Sequence, residues 1–176
     1  MNHAAESLHV VLVHPEIHWN TGNAGRTCLA AGATLHLVRP LGFSLEEREL
    51  KRAGLDYWPR VRPVVWRDWG DLEARLGELG EPFLFSAEAP RTLWEVAFPP
   101  RTVLVFGRET VGLPEDLRSR FPDRLVGIPM VDPELRSLNL STAVAVAVYE
   151  VLRQLRGCRA GLGPLHPNRS PSGADS

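Results

Sequence analysis

Little in this 176-residue chain is suited to disulfide or metal chemistry: it has two cysteines, Cys28 and Cys158, without CxxC or metal-finger spacing. A disulfide framework is excluded, and the expectation is a small core residue at Cys28 and a free thiol at Cys158. The six histidines show no ligand spacing either. "HPEIH" (His14 to His18) differs from the zinc motif HExxH in having Pro15 where the glutamate belongs, so no metal is expected. No run of about 18 apolar residues occurs, which excludes a membrane-spanning helix of ordinary length. The stretch "MNHAAESLHV" lacks the basic and apolar regions of a secretory leader, so a cytoplasmic location is expected. A net charge of -1 lacks the basic excess of an indiscriminate nucleic-acid binder but leaves room for a local basic patch. The dinucleotide fingerprint GxGxxG is missing, since "GNAGR" has the wrong glycine spacing.

What is present is an ordinary globular composition, 44% hydrophobic and 23% charged, enough for one domain with its own core. Apolar runs alternate with helical patterns. "LHVVLV", "LHLVRP", "VRPVVW", "PFLFSA", "RTVLVFG" and "DRLVGIPM" predict strands. "NAGRTCLAAGA" after a turn at Asn20 to Gly22, "SLEERELKRAG" capped by Ser44, "DWGDLEARLGELG" and "PEDLRSRF" predict helices. This order predicts an α/β fold with a mostly parallel sheet flanked by helices. The domain is expected over residues 1–156. Residues 157–176, rich in Gly, Pro and Ser, are expected to form a flexible tail.

"NLSTAVAVAVYEVLRQL" (Asn139 to Leu155) has an Ala/Val alternation that would suit a strand. Its length, its polar start and the spacing of Val148, Leu152 and Leu155 predict a helix instead. Ala143 and Ala147 mark a face for close packing, possible against a second subunit.

Three stretches beyond apolar runs carry polar or glycine-rich character: "NTGNAGR" (Asn20 to Arg26), "GRETVGL" (Gly107 to Leu113) and "IPMVDPELRSLNLS" (Ile128 to Ser141). Each alone fits a turn, a loop or a helix cap. A basic segment also stands out, with Arg48, Lys51, Arg52, Arg60 and Arg62 near Tyr57 and Trp58. Its acidic neighbours Glu46, Glu47 and Glu49 equally fit a solvated helix face.

Together, and in this order, the three stretches resemble the motifs of the SPOUT superfamily of RNA methyltransferases. "PEIHWNTGNAGR", "GATLHLVRPLGF", "RAGLDY" (Arg52 to Tyr57), "FGRETVGLP" and "IPMVDPELRSLNLSTAVAVAVYE" are most similar to the TrmL (YibK-like) branch. The likeness spans about Leu8 to Leu155. It implies a deep C-terminal trefoil knot, S-adenosyl-L-methionine bound in that knot, a homodimer, and 2'-O-methylation of the tRNA wobble nucleotide (position 34) in the anticodon stem-loop.

By the same resemblance Arg26 is the catalytic arginine, presented by the turn from the first turn of its helix, with Asn20 and Asn23 fixing the loop. A guanidinium keeps its proton at working pH, so Arg26 is expected to stabilise the developing alkoxide and position phosphate rather than act as a base. Glu109 is expected to orient Arg26 or its loop, and Asn139 and Ser141 to bond the reacting ribose or the knot backbone, or to cap their helix. Phe85, Ser86, Gly107, Gly112, Ile128, Met130, Ser137 and Leu138 are implied to line the cofactor site. Gly107 there would let backbone approach the ligand. Arg48, Lys51, Arg52 and Tyr149 are expected to bind substrate. Arg108 stands where relatives often have proline and adds a possible RNA phosphate contact. Methylation at another tRNA or ribosomal RNA position, and a non-catalytic RNA-binding role, are the alternatives; the retained Arg26, Glu109 and Asn139 favour catalysis.

Overall fold

The computed structural model describes residues 7–46 and 56–157, with side chains to Leu155. Its frame is a six-stranded parallel sheet in the order β3-β2-β1-β5-β4-β6. The strands are β1 (Ser7–Val13), β2 (Thr34–Val38), β3 (Val64–Trp66), β4 (Glu81–Phe85), β5 (Arg101–Phe106) and β6 (Leu125–Val126). They are apolar nearly throughout because both faces are covered. Val10, Leu12, Leu35, Leu37 and Leu104 lie in one core with α1 (His18–Ala31) and α6 (Leu140–Gly157). Val11, Val13, Val38, Val103 and Val105 lie in the other, with Trp69, Leu72 and Leu117. These last three belong to α3 (Trp69–Glu73) and α5 (Glu115–Arg120); α2 (Trp58–Val61) packs on α1 and α4 (Leu76–Leu79) precedes β4.

The predicted turn at Asn20 to Gly22 is not a turn: α1 already runs from His18, so Asn20, Asn23 and Arg26 all lie within it. Arg26 is therefore two turns in, not in the first turn. The reason is that no local side chain caps this helix; its partner comes from far along the chain, as described below. Gly25 serves packing, since a Cβ there would stand 3.0 Å from Trp58 and 3.1 Å from Val61 of α2. At the other end Gly32 closes α1 with φ +71, a left-handed conformation that costs glycine nothing.

Two other predicted elements are shorter than expected. "DWGDLEARLGELG" divides into α3, capped by Asp68 through Asp71 N–H at 3.0 Å, and α4, because the first helix ends at Ala74. "DRLVGIPM" gives only the two residues of β6, after which the chain leaves the sheet. The predicted helix from Ser44 to Gly54 falls largely outside the described residues. The Asn139 to Leu155 segment is helical from Leu140 onward, as α6.

The small-residue face of α6 packs within its own chain. Ala147 is fully buried beside Ala24, Cys28 and Ala31 of α1, and Ala143 is half-buried. What α6 leaves to solvent is a stripe of Thr142, Val146, Tyr149 and Arg153, at helical spacing.

Candidate active site

The sheet order reverses beside β1: β2 and β3 build outward on one side, β5, β4 and β6 on the other. Loops leaving the carboxyl ends of β1 and β5 therefore diverge around a crevice, the place where open α/β sheets bind ligands. Here two carboxylates tie those loops together. Glu109, after β5, accepts from Glu16 N–H at 2.8 Å, Ile17 N–H at 3.1 Å and the Asn20 Nδ2 at 3.2 Å. Glu16, after β1, accepts in return from Thr110 N–H at 3.2 Å and its hydroxyl at 2.9 Å. Glu109 thus places a negative charge at the uncapped start of α1, where main-chain N–H groups and the helix dipole favour it.

The chain of bonds continues into the third motif. Asn139 Nδ2 donates to Asn20 Oδ1 at 3.0 Å, and Asn139 Oδ1 accepts from Ser141 N–H at 2.9 Å and its hydroxyl at 2.7 Å. A carboxylate at one end can only accept and an N–H at the other can only donate, so the orientation of both amides is dictated. Asn139 is consequently the N-cap of α6 and a bridge to α1 at once. Asn20 is buried, only 3% exposed, which makes these bonds expensive to leave unmade. Asn20, Glu109, Asn139 and Ser141 are brought together.

Arg26 is not part of that cluster, and Glu109 orients the loop rather than Arg26. The guanidinium lies 4.6 Å over the Tyr57 ring. Tyr57 in turn donates its hydroxyl to the Gly22 carbonyl at 2.8 Å, fixing the ring against α1. The pairing holds Arg26 at the surface with its charge available; burial raises the Tyr57 pKa, and the nearby Arg26 charge opposes that rise only in part. Asn23 is exposed on α1 and does not fix a loop.

The other expected residues divide. Phe85 is buried and stacks on Phe106 at 4.6 Å, so its ring belongs to the core. Gly107 is buried, and a Cβ there would overlap the main chain of Gly112 and Leu113, so the loop itself requires glycine at this position. Gly112, at φ +72, closes that loop through two main-chain bonds with Arg108. Ser86 caps the next turn, accepting from Glu88 N–H at 3.3 Å. Ile128, Met130 and Leu138 are half-buried and Ser137 is exposed. Among the described residues, positions 128 to 138 make no main-chain to main-chain hydrogen bond, and only Glu134 N–H is taken up locally, by Asp132 Oδ1 at 2.9 Å. Tyr149 is 53% exposed on α6. Arg48, Lys51 and Arg52 lie outside the described residues.

Sequence reasoning missed Glu16, whose partner Thr110 is 94 positions away. It also missed a cross-strand chain centred on buried His36: Trp66 Nε1 donates to His36 Nδ1 at 3.0 Å, and His36 Nε2 lies 2.9 Å from Nδ1 of half-buried His9. Burial pushes His36 down to about 4, with His9 adding to the effect, and lowers His9 as well. Cys28 is buried, its thiol pushed up to about 12, and is inert core. No group of three or more metal-ligating side chains occurs among the described residues, and no helix among them is long and apolar enough to cross a membrane.

A parallel sheet with polar loops tied across its switch point, and the loop of residues 128 to 138 beside them, is an α/β architecture with its candidate site at the carboxyl edge of the sheet. The chain belongs to the SpoU rRNA Methylase family, whose model matches residues 7–149. It is 47% identical over 151 residues to a putative tRNA (cytidine(34)-2'-O)-methyltransferase of Bacillus subtilis, covering 84% of this chain and 93% of that protein. A solved structure described as giving insights into the 2-OH methylation of C/U34 on tRNA superimposes with a TM-score of 0.79 at 47% identity, covering 86% of this chain and 98% of that one. The SpoU methyltransferase AviRb from Streptomyces viridochromogenes, solved with AdoMet, shares the fold at a TM-score of 0.74 and 24% identity, over 88% of this chain and 60% of its own.

Proposed function

We propose that this protein is a tRNA 2'-O-methyltransferase acting on the ribose of nucleotide 34, with S-adenosyl-L-methionine as methyl donor. The observation that carries the reading is the continuous bond path Glu109–Asn20–Asn139–Ser141, which joins all three motif stretches at the sheet's switch point. The 47% identity to the Bacillus subtilis protein supports the nucleotide. The stretch of residues 128 to 138, free of main-chain to main-chain hydrogen bonds among the described residues, fits the cofactor, with Ile128 and Leu138 as apolar walls for an adenine. When bound, the cofactor supplies an electrophilic methyl group.

The chain's own task is then to orient a ribose hydroxyl and to stabilise the charge it develops. Arg26, exposed and cationic on its Tyr57 platform, stabilises the alkoxide and grips an adjoining phosphate. Asn139 and Ser141 hold the ribose edge of the site. Asn20 and Glu109 hold Asn139 in place.

Arg26 lies six residues beyond Asn20 on α1, about 120° around the helix and nearly two turns along it, and so stands apart from the Asn20–Asn139 cluster within one protomer. A homodimer resolves this by presenting one protomer's Arg26 to its partner's loops. Trp19 at 57%, Val146 at 39% and Tyr149 at 53% exposure supply apolar surface on α1 and α6 for such an interface. A monomer in sedimentation at micromolar concentration, fully active, would reject the dimer.

Incubation with unmodified total tRNA and labelled S-adenosylmethionine, followed by nucleoside mapping, tests the activity. The expected product is 2'-O-methylated cytidine or uridine at position 34. Label on a base, or on ribose at another position only, overturns the assignment.

A further inference from the structure

Three chain segments sit side by side at the carboxyl edge of the sheet, and their register places two arginines at one level. Val38 of β2 pairs with Val13 of β1, and Phe106 of β5 pairs with Leu12. Continuing that register past the strand ends, Arg39 and His14 one step beyond Val38 and Val13 and Arg108 two steps beyond Phe106 fall at one level, with His14 N–H still donating to Val38 O at 3.0 Å and Arg39 N–H to Trp66 O at 3.1 Å. Two strand spacings put the backbones of Arg39 and Arg108 roughly 10 Å apart, astride β1. Both side chains are exposed.

The segments carrying them are held firmly. Gly42 N–H donates to Pro15 O at 2.9 Å, and a Cβ at Gly42 would stand 2.6 Å from Glu16 O, so the Arg39 loop rests on the Glu16 loop. The Glu16–Thr110 and Glu109–Glu16 bonds then lock that loop to the one bearing Arg108.

The charges are left unanswered. Elsewhere Arg67, Arg75, Arg118, Arg120, Arg124 and Arg153 each pair with a carboxylate. Arg39 and Arg108 have no such partner among the described residues, although Glu16 and Glu109 lie on the same loops. Those two carboxylates are occupied by N–H and hydroxyl donors. Two unpaired guanidiniums on a rigid edge, beside a site for polyanionic substrate, form a phosphate-binding arrangement.

We propose that Arg39 and Arg108 are a pair that seats the RNA backbone across the end of β1, each taking a phosphate while the acceptor ribose enters the site beside them. The proposal rests on the RNA reading above. Phosphate contacts of this kind set register and orientation rather than sequence preference, so they would act on every tRNA substrate alike.

The test is binding of an unmodified tRNA transcript by anisotropy across a KCl series, for the wild type, Arg39→Gln, Arg108→Gln and the double variant. Each loss is expected to weaken binding several-fold and to reduce the slope of log K against log[KCl] by roughly 0.7 to 0.9. The loss in kcat/KM should sit mainly in KM, with Arg→Lys at either position keeping the salt slope. Calorimetric affinity for S-adenosylmethionine should not change. An unchanged RNA affinity and slope in the double variant overturns the pair. A fall in cofactor affinity instead would place Arg108 in the cofactor site and overturn it as well. A wild type that binds tRNA with this slope but transfers no methyl group would refute the proposed activity and leave the pair standing.

Discussion

Asn139 donates its side-chain amide to Asn20 across 119 positions of chain, at 3.0 Å, and in the same geometry caps α6. Asn20 passes the interaction to Glu109. Loss of Asn139 leaves the buried Asn20 oxygen unmatched and removes a helix cap, and loss of Asn20 empties a buried position and takes a donor from Glu109. Asn139→Ala is expected to cost about 1 to 3 kcal/mol of stability and Asn20→Ala a similar amount. Because they share one bond path, the double variant should lose less than the sum, by roughly 0.5 kcal/mol or more. Urea unfolding of the three variants checks this; strict additivity would mean the path is not cooperative.

Arg26→Ala should reduce methyl transfer by two orders of magnitude or more while leaving affinity for S-adenosylmethionine nearly unchanged, since the loops fitted to the cofactor are elsewhere. Arg26→Lys keeps charge without the planar fork, so its activity separates charge from bidentate geometry. Tyr57→Phe keeps the ring beneath Arg26 and removes only the bond to Gly22, so it should retain most activity. Single-turnover kinetics with measured cofactor affinity distinguish these cases, and lost cofactor binding in Arg26→Ala would move Arg26 out of the catalytic role.

Gly107→Ala tests what that glycine is for. Its Cβ has no space against the Gly112 and Leu113 main chain, so the loop must open and the Glu109 contacts with it. A melting temperature lowered by several degrees is expected, with cofactor binding lost together with it. A variant of wild-type stability that has lost only cofactor affinity would show that the ligand, not the loop, requires glycine.

Stability should fall in mild acid through the His36 and His9 pair. Both have lowered values in the folded state, so the unfolded chain binds more protons once pH drops below about 6.5. The stability is complete above that value and declines towards about 4, where His36 itself protonates. The full span corresponds to roughly 3 kcal/mol. Unfolding free energies between pH 7.5 and 5, where carboxylates remain ionised, should show this decline, and His36→Leu should flatten it. A flat wild-type profile would contradict the buried relay from Trp66 to His9.

The amino-acid sequence by itself determined the alternation of elements, the parallel sheet and the long last helix, because apolar periodicity and run length are local properties that each segment carries alone. It also held the motifs that place the chain in its family. Tertiary structure alone decided where α1 begins, since its cap is a carboxylate 92 positions away rather than a neighbouring residue. It decided that Tyr57 lies under Arg26 and that Ala147 packs against α1 of its own chain. The level placement of Arg39 and Arg108 likewise follows from strand register. These are pairings between distant segments, set by the order in which strands enter the sheet, and no spacing along the chain records that order.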